Sequence, residues 1–386
     1  MEQRVALIHD FLLDVRGAER VFAALADLYP EADLFTAVYD PRGTEGRFEH
    51  RTVNTSFLQR LRPTARTFRP LLPFYPYAME AMDLSGYDLV LSSSSAWAHG
   101  VIVDPDAVHV SYCHNPFRYA WNARDETLGQ RGALQRAALS MVFQRWRQWD
   151  WIAAQRVDRY IANSETTRRR IRRYFGRESD VIYPPVETSR FTPGPVGDFY
   201  LVLSELMPHK RIHHAVEAFN RLRLPLVVVG NGPDARRLRR MAGPTISFTG
   251  RVSDERAAEL LSASRALVVT ATEEFGIAAV EAQAAGRPVI ALAEGGVRET
   301  VQEGLTGAFY DTPDPAALAE AVLRFDALGV DPELCVANAD RFDVAHFRHG
   351  IRRVVAEACT EERPPRADPR RVRPRGLGAR MAAPGA

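Results

Sequence analysis

The sequence predicts an α/β protein built from two doubly wound domains that face a cleft, with helices closing the carboxyl end and a disordered tail beyond them. Three observations lead there. The chain has 386 residues, more than one hydrophobic core usually holds, so two domains of comparable size are expected. Short β-branched runs alternate with helical patterns in both halves, as in parallel sheets covered on both faces. Between the halves, VETSRFTPGPVGD breaks the alternation with the turn formers PGP. The predicted organisation is a first domain over 1–186, a linker over 187–198, a second domain over 199–340, a closing helix over 341–360 and a tail over 361–386.

RVALIHD (4–10) reads as a buried strand. AERVFAALADLY (18–29) follows as a helix with Val21, Phe22, Leu25 and Leu28 on one face. ADLFTAVY, YDLVLSSSS, AVHVSYCHN, RYIANS and DVIYPP are further strand candidates, with helical stretches between several of them. After the linker the alternation is cleaner. Strands FYLVLS, PLVVVG, ISFTG, RALVVTA and RPVIALA are separated by helices over 212–222, 234–242, 253–263 and 276–285, and a last helix follows over 296–303. DPAALAEAVLRFDAL and VAHFRHGIRRVVAEA then read as amphipathic helices. Both halves are Rossmann-like, and ligands of such sheets sit outside the carboxyl ends of the strands.

The formal charge is +2, but 361–386 alone carries seven arginines against three acidic residues. The rest of the chain is therefore slightly acidic, which argues against a nucleic-acid partner. The tail's Pro, Arg, Gly and Ala offer little to bury, so it is expected to be disordered. Three cysteines, Cys113, Cys335 and Cys359, lack metal-ligand spacing and fit reduced thiols in a cytoplasmic protein. The amino-terminal apolar run is too short, and too interrupted by His9 and Asp10, for a signal peptide, and no stretch is long enough to span a membrane. Any association with the inner face of a membrane would be peripheral.

Two strand-to-helix junctions in the second domain carry candidate chemistry. GNGPDA (230–235) matches a dinucleotide fingerprint by letters, but no acidic residue follows the next strand to hold a ribose; the alternative is a plain tight turn. In TEEFGIAAVEAQAAGRPVIA (272–291), a strand ends just before a loop, and Gly276 opens a helix stopped by Gly286 and Pro288. The helix start offers unpaired N–H groups and partial positive charge, suited to phosphate. Glu273 sits on the loop, and Glu281 lies inside the helix among small apolar residues, where a carboxylate needs a partner. Dipole complementarity alone is the competing explanation for both acids.

This stretch closely resembles the E-x7-E signature of retaining nucleotide-sugar glycosyltransferases of family 4, which have the two-Rossmann GT-B fold. SELMPHKR (204–211), VVVGNGP, FTGRVSDE and EGGVRETVQEGLTG are similar in order, as are VALIHDF, RGAERV and CHNPFRYAWN in the first half. The resemblance is greatest to the bacterial O-antigen and exopolysaccharide mannosyltransferase branch. It implies that Glu273 bonds hydroxyls of the donor sugar, that Glu281 holds the donor ribose, and that the amides of Phe275, Gly276 and Ile277 face the diphosphate or sugar. Lys210 would pair with the diphosphate and the backbone near Arg251 would contact the base. Where many relatives carry arginine, this chain has Glu205, with Arg211 as a possible substitute cation.

In the first domain, DVRGAER (14–20) resembles the family's G-G-A-E loop with Arg16 in place of the first glycine, and Gly17 is expected close to the donor. His114 ends a strand, and the resemblance places it near the reacting sugar with Asn115, Arg118 and Tyr119 on the acceptor side. His114 and Glu273 are thus the expected catalytic residues. All five tryptophans fall between 97 and 151; with LLPFYPY (71–77) and the basic RRRIRRYFGR (168–177) they suggest either a surface for a lipid-linked acceptor or ordinary packing. Asp104 and Asp106 form a D-x-D by letters but sit in a proline turn, and no metal site is predicted.

The resulting expectation is a retaining, metal-independent transfer of a hexose from a nucleoside diphosphate sugar, with GDP-mannose the first donor to test, to a hydroxyl of a saccharide or lipid-linked saccharide in cell-surface polysaccharide synthesis. No cofactor beyond the co-substrate sugar nucleotide is expected. The alternatives are a sugar-nucleotide-binding protein without transfer activity and an NADP-dependent oxidoreductase.

Overall fold

The computed structural model describes residues 3–65, 67–122, 124–129, 132–326 and 329–361; the expected disordered tail, from 362 on, lies outside the described residues. The first half folds in the order β1 (Val5–His9), α1 (Gly17–Leu28), β2 (Asp33–Thr36), β3 (Val53–Thr55), α2 (Tyr75–Glu80), β4 (Leu89–Ser94), β5 (Val108–Cys113), α3 (Arg124–Gly129), α4 (Ala133–Ala154), β6 (Arg159–Ala162), α5 (Glu165–Phe175) and β7 (Ser179–Val181). Its seven strands form one parallel sheet, β3-β2-β1-β4-β5-β6-β7.

The second half runs β8 (Tyr200–Leu203), α6 (Ile212–Leu222), β9 (Leu226–Val229), α7 (Ala235–Met241), β10 (Ile246–Gly250), α8 (Asp254–Ala263), β11 (Leu267–Val269), α9 (Ile277–Ala284), β12 (Val289–Leu292), α10 (Val297–Thr300) and β13 (Gly307–Tyr310). Its parallel sheet is ordered β10-β9-β8-β11-β12-β13. Helices α11 (Pro315–Asp326), α12 (Pro332–Ala339) and α13 (Val344–Thr360) follow.

In both sheets the strand order reverses beside the first strand, between β1 and β4 and between β8 and β11. Loops leaving neighbouring strands there turn to opposite faces and open a crevice. In the first sheet the crevice is tied by Asp10, which directly follows β1 and is 1% exposed. Its carboxylate accepts the backbone N–H groups of Ser95, Ala96, Trp97 and Ala98 at 2.5, 3.2, 2.6 and 2.7 Å, satisfying four donors that the end of β4 would otherwise bury unpaired.

Several elements differ from the sequence expectation. The helix expected over 296–303 is a single turn, Val297–Thr300, because Val301 is already extended. Strands β3 and β13 and helix α12 were not anticipated; β3 has three residues and β13 four, too short for a clear alternation. Most of the tryptophans pack inward. Trp97 is fully buried against Phe117, Trp146 and Trp149, and Trp121 stacks on Tyr174. Trp151 alone of the five is largely exposed. The basic stretch forms α5, with Ile171 and Phe175 in the core.

The linker is held rather than loose. Arg287, nearly fully buried, donates to the carbonyls of Ser262 at 2.8 Å and of Gly194. After α12 the chain crosses back: Val186 bridges Asp343 beside the linker, its amide donating to Phe342 and its carbonyl accepting from Val344, and α13 lays Phe347, Ile351, Val354, Val355 and Ala358 into the first core with Leu7, Val21 and Phe22.

Replacing Asp10 by Ala strands four buried N–H donors. We expect a loss of about 3 kcal/mol or more of unfolding free energy, measured by chemical denaturation; a loss under about 1 kcal/mol would show that water takes over the role.

Candidate active site

Loops from both switch points converge between the two sheets. After β8, residues 204–211 carry Glu205 and Lys210 before α6; after β11, residues 270–276 carry Glu273 before α9. The Lys210 ammonium lies 2.7 Å from each oxygen of Glu273, and both side chains are about four-fifths buried. The Thr270 hydroxyl donates to the Lys210 carbonyl at 2.6 Å, which couples the two loops. Burial pushes the Glu273 carboxyl up, but Lys210, with His209 and Arg118 beyond it, outweighs that and holds the group below its ordinary value. The Glu273 carboxylate is thus favoured at the mouth of α9, with the Lys210 side chain beside it.

The helix start is shaped by backbone. Gly276 has φ +94, left-handed space that a side chain resists, and a Cβ there would come 3.2 Å from Val297. The Gly296 amide donates to the Glu273 carbonyl at 2.8 Å and Thr272 donates to Glu294 at 2.6 Å, so the EGG turn clasps the 272–275 loop. The Phe275 ring turns into the core between Tyr183 and Phe342, leaving only its backbone for the cleft. Gly17, at the start of α1, stands opposite Ile277: a Cβ there would lie 3.3 Å from the Ile277 side chain. In GNGPDA, a Cβ at Gly230 would strike the Ser204 carbonyl at 1.9 Å. That glycine lets the β9 loop support the β8 loop, which accounts for the motif without a dinucleotide.

Glu281, 12% exposed, finds its partner across the cleft: Arg20 of α1 lies 3.1 Å away and also reaches Asp254 at 2.6 Å. Burial raises the Glu281 carboxyl, and Arg20 and Arg190 only partly offset it. The two departures noted in the sequence face each other. Arg16 lies 3.1 Å from Glu205 and also contacts Asp14, so a cation is present beside the acidic replacement, supplied by the opposite wall. Arg251 bridges in the same way to Asp14 at 3.1 Å and Glu45 at 2.9 Å. Arg211, left-handed at φ +52, caps α6 and lies 4.0 Å from Glu294.

On the first-domain wall, His114 follows β5 and its Nε2 bonds the Ser93 hydroxyl at 2.9 Å. Burial, then the neighbouring His9, lowers its imidazole to about 3, so the ring is neutral near pH 7. Arg118 reaches His209 at 3.5 Å, next to Lys210; burial, then Arg118 and Lys210, lower His209 to about 4. Asn115 is 7% exposed and engaged with Arg170 and Asn122, so it braces the loop. Tyr119 is 39% exposed and packs on Phe117 outside this ion-pair network.

Residues that the sequence did not single out complete the wall. Arg170 lies 3.6 Å from Glu274, and Glu299 accepts the Glu165 and Thr166 amides at 2.8 and 3.1 Å, capping a first-domain helix with a second-domain carboxylate. Glu299 belongs to the VRET turn already noted as a motif; nothing in the letters of the first half announces its partner. Among the described residues no group of three or more His, Cys, Asp or Glu is placed to hold a metal, Asp104 instead accepts the Gly86 amide in a turn, and no helix is long and apolar enough to cross a membrane. A groove of about 700 Å³ lined by Arg4, Asp33, Asn54 and Tyr87 opens at the amino ends of the first-sheet strands, away from the cleft.

Comparison with known proteins agrees with this architecture. The family model for glycosyltransferase family 4 matches residues 15–190, and that for group 1 glycosyl transferases matches residues 193–339. The D-inositol 3-phosphate glycosyltransferase of Acidothermus cellulolyticus is 32% identical over 55% of this chain and 56% of its own. A GDP-mannose-dependent alpha-(1-6)-phosphatidylinositol monomannoside mannosyltransferase of Mycobacterium tuberculosis is 34% identical over 45% of this chain and 53% of its own. The chain spans about half the length of the curated relatives it matches. In fold it is similar to the sucrose-phosphate synthase of Thermosynechococcus elongatus, TM-score 0.70 at 20% identity over 92% of this chain and 99% of that one. It is also similar to the Anabaena protein HepE solved with UDP, TM-score 0.67 at 18% identity over 92% and 100%. With two parallel sheets facing one cleft and both halves matched in order, the chain belongs to glycosyltransferase family 4 and has the GT-B fold.

Proposed function

We propose that this protein transfers a hexose, with retention of anomeric configuration, from a nucleoside diphosphate sugar to a hydroxyl of a saccharide or lipid-linked saccharide in cell-surface polysaccharide synthesis. The observation that carries the proposal is the Lys210–Glu273 pair at the start of α9. A departing diphosphate needs a fixed cation, and hydroxyls of the transferred sugar need a fixed acceptor, within one bond length of each other's neighbourhood; this pair offers both before any ligand arrives. Glu281 would exchange Arg20 for the ribose hydroxyls. Arg16, held by Glu205, would supply the second cation on the diphosphate that the acidic residue at 205 withholds. No side chain in the cleft is assigned as a nucleophile. Preorganised charge therefore carries the reaction, with the leaving phosphate taking the acceptor proton on the same face.

GDP-mannose is the first donor to test because a relative at 34% identity is named for it; the structural neighbour solved with UDP makes a UDP-sugar the second. For the acceptor, exposed Phe57, Leu61, Phe74 and Tyr77 lie on the same stretch of chain as exposed Arg60, Arg62 and Arg69, a combination that suits the interface of an anionic membrane.

Incubating the protein with GDP- and UDP-sugars and an acceptor extract should release nucleoside diphosphate and give an α-linked product; binding without release would leave a sugar-nucleotide-binding protein. Glu273→Gln should lower kcat/KM by about 100- to 1000-fold, measured at a temperature where circular dichroism shows the variant folded, and unchanged turnover would remove Glu273 from the site. Arg16→Ala should weaken nucleoside diphosphate binding by about 10- to 100-fold, read by calorimetry; if only Lys210→Ala weakens it, Arg16 serves the domain contact alone.

A further inference from the structure

Behind His114 lies a chain of buried polar groups that the donor chemistry leaves unused. His9 ends β1 and is 1% exposed; its Nδ1 lies 2.9 Å from the Ser93 carbonyl and 3.1 Å from the Ser93 hydroxyl. Its Nε2 lies 3.6 Å from Glu19 in α1, itself 5% exposed. The other oxygen of Glu19 accepts the Arg16 amide at 3.0 Å. Ser93 is fully buried, and its hydroxyl touches His9 on one side and His114 Nε2, at 2.9 Å, on the other.

The proton positions follow from what each atom can do. A carbonyl only accepts, so His9 Nδ1 carries a hydrogen and donates to Ser93. That hydrogen cannot be matched by an acceptor role at the same nitrogen, so the Ser93 hydroxyl has to send its own hydrogen elsewhere. Its one remaining partner among the described residues is His114 Nε2. Were that nitrogen protonated, a fully buried hydroxyl hydrogen would have no acceptor, a cost of about 1–3 kcal/mol. His114 Nε2 is therefore bare, and the ring hydrogen sits on Nδ1. Nδ1 has no partner among the described residues and is not one of the buried unpaired atoms, so it keeps solvent access.

We infer that Glu19, His9 and Ser93 are positioning residues that lock His114 as the Nδ1–H tautomer, so that it offers the cleft a hydrogen-bond donor rather than a base. This rests on the proposed function for the ligand that receives the bond, a hydroxyl or ring oxygen of the transferred or accepting sugar, but not for the tautomer itself. The far end of the chain is the Arg16 amide at the cap of α1, so the loop there and His114 are set by one row of contacts, hydrogen-bonded except at the 3.6 Å ion contact between His9 and Glu19.

The test is long-range proton–nitrogen correlation NMR on the protein labelled with nitrogen-15 histidine, without ligand, with the His114 signals assigned from their absence in His114→Asn. The expected spectrum has a protonated Nδ1 and a bare Nε2 at His114, and Ser93→Ala shifts the ring toward Nε2–H, the form that free neutral imidazole side chains prefer. A wild-type ring protonated on Nε2 overturns the inference. In turnover, Ser93→Ala should lower kcat by about 10- to 100-fold, the range for outer partners that orient a working histidine, with KM little changed. His114→Asn, whose amide N–H falls at the Nδ1 position, should retain at least about 10-fold more activity than His114→Gln; the reverse order also overturns it. If the wild-type protein transfers no sugar yet shows Nδ1–H, the relay stands and the transferase proposal falls. Should Ser93→Ala fail to fold, the wild-type spectrum and the Asn/Gln pair still decide.

Discussion

Charge pairing across the cleft is the constraint on which the rest of the structure depends. Two sheets that present their carboxyl ends to one another gather loops, helix starts and their charged side chains into a narrow space. A buried carboxylate such as Glu281 left unmatched there costs several kcal/mol, while the half-exposed pairs contribute about 1 kcal/mol or less each. In the free protein the opposite wall matches them: Arg20 with Glu281, Arg16 with Glu205, Arg251 with Asp14 and Glu45, Arg170 with Glu274. The same groups that would hold a sugar nucleotide thus stand in for it on each other. Under the proposed function, binding an anionic donor would be an exchange of partners rather than a creation of new charge contacts, and its net affinity a difference between two sets of contacts.

The exchange also links binding to domain geometry. Lys210 and Glu273, like Arg211 and Glu294, satisfy one another within the second domain; the pairs just named need both walls in place. A ligand that takes Arg16 or Glu281 loosens a contact between domains while making its own. The Glu299 cap on α5 is different in kind, because it uses no group assigned to the donor. It ties the start of α5 to the second domain independently of those ion pairs.

Much of this was legible in the letters, and the part that was not has a physical reason. Alternating apolar runs of five or six residues marked strands such as β4 and β5, which are buried throughout, and the small residues around Glu281 announced that its carboxylate would need a partner. That the partner is Arg20 could not be read, because the pair is 261 positions apart in sequence and no periodicity connects the two helices. The same holds for Arg16 and Glu205. Each looked like a loss when taken alone, and only their juxtaposition shows one replacement answering the other. The tryptophans left two readings open, a surface or ordinary packing, and the long α4 carries Trp146 and Trp149 inward onto Trp97, in favour of packing. Composition counts aromatic residues but does not orient them. Short edge strands failed for a simpler reason, since three or four residues hold too little pattern to distinguish a strand from a loop.

The return of α13 to the first domain bears on how the protein is made. Phe347, Ile351 and Val354 fill the core that Leu7 and Phe22 begin, so the half of the molecule synthesised first is completed by the last helix among the described residues. During translation the first sheet must wait with an uncovered apolar face while the whole second domain emerges and folds. The first core can therefore be completed only after the second domain has left the ribosome, although its strands are delivered first.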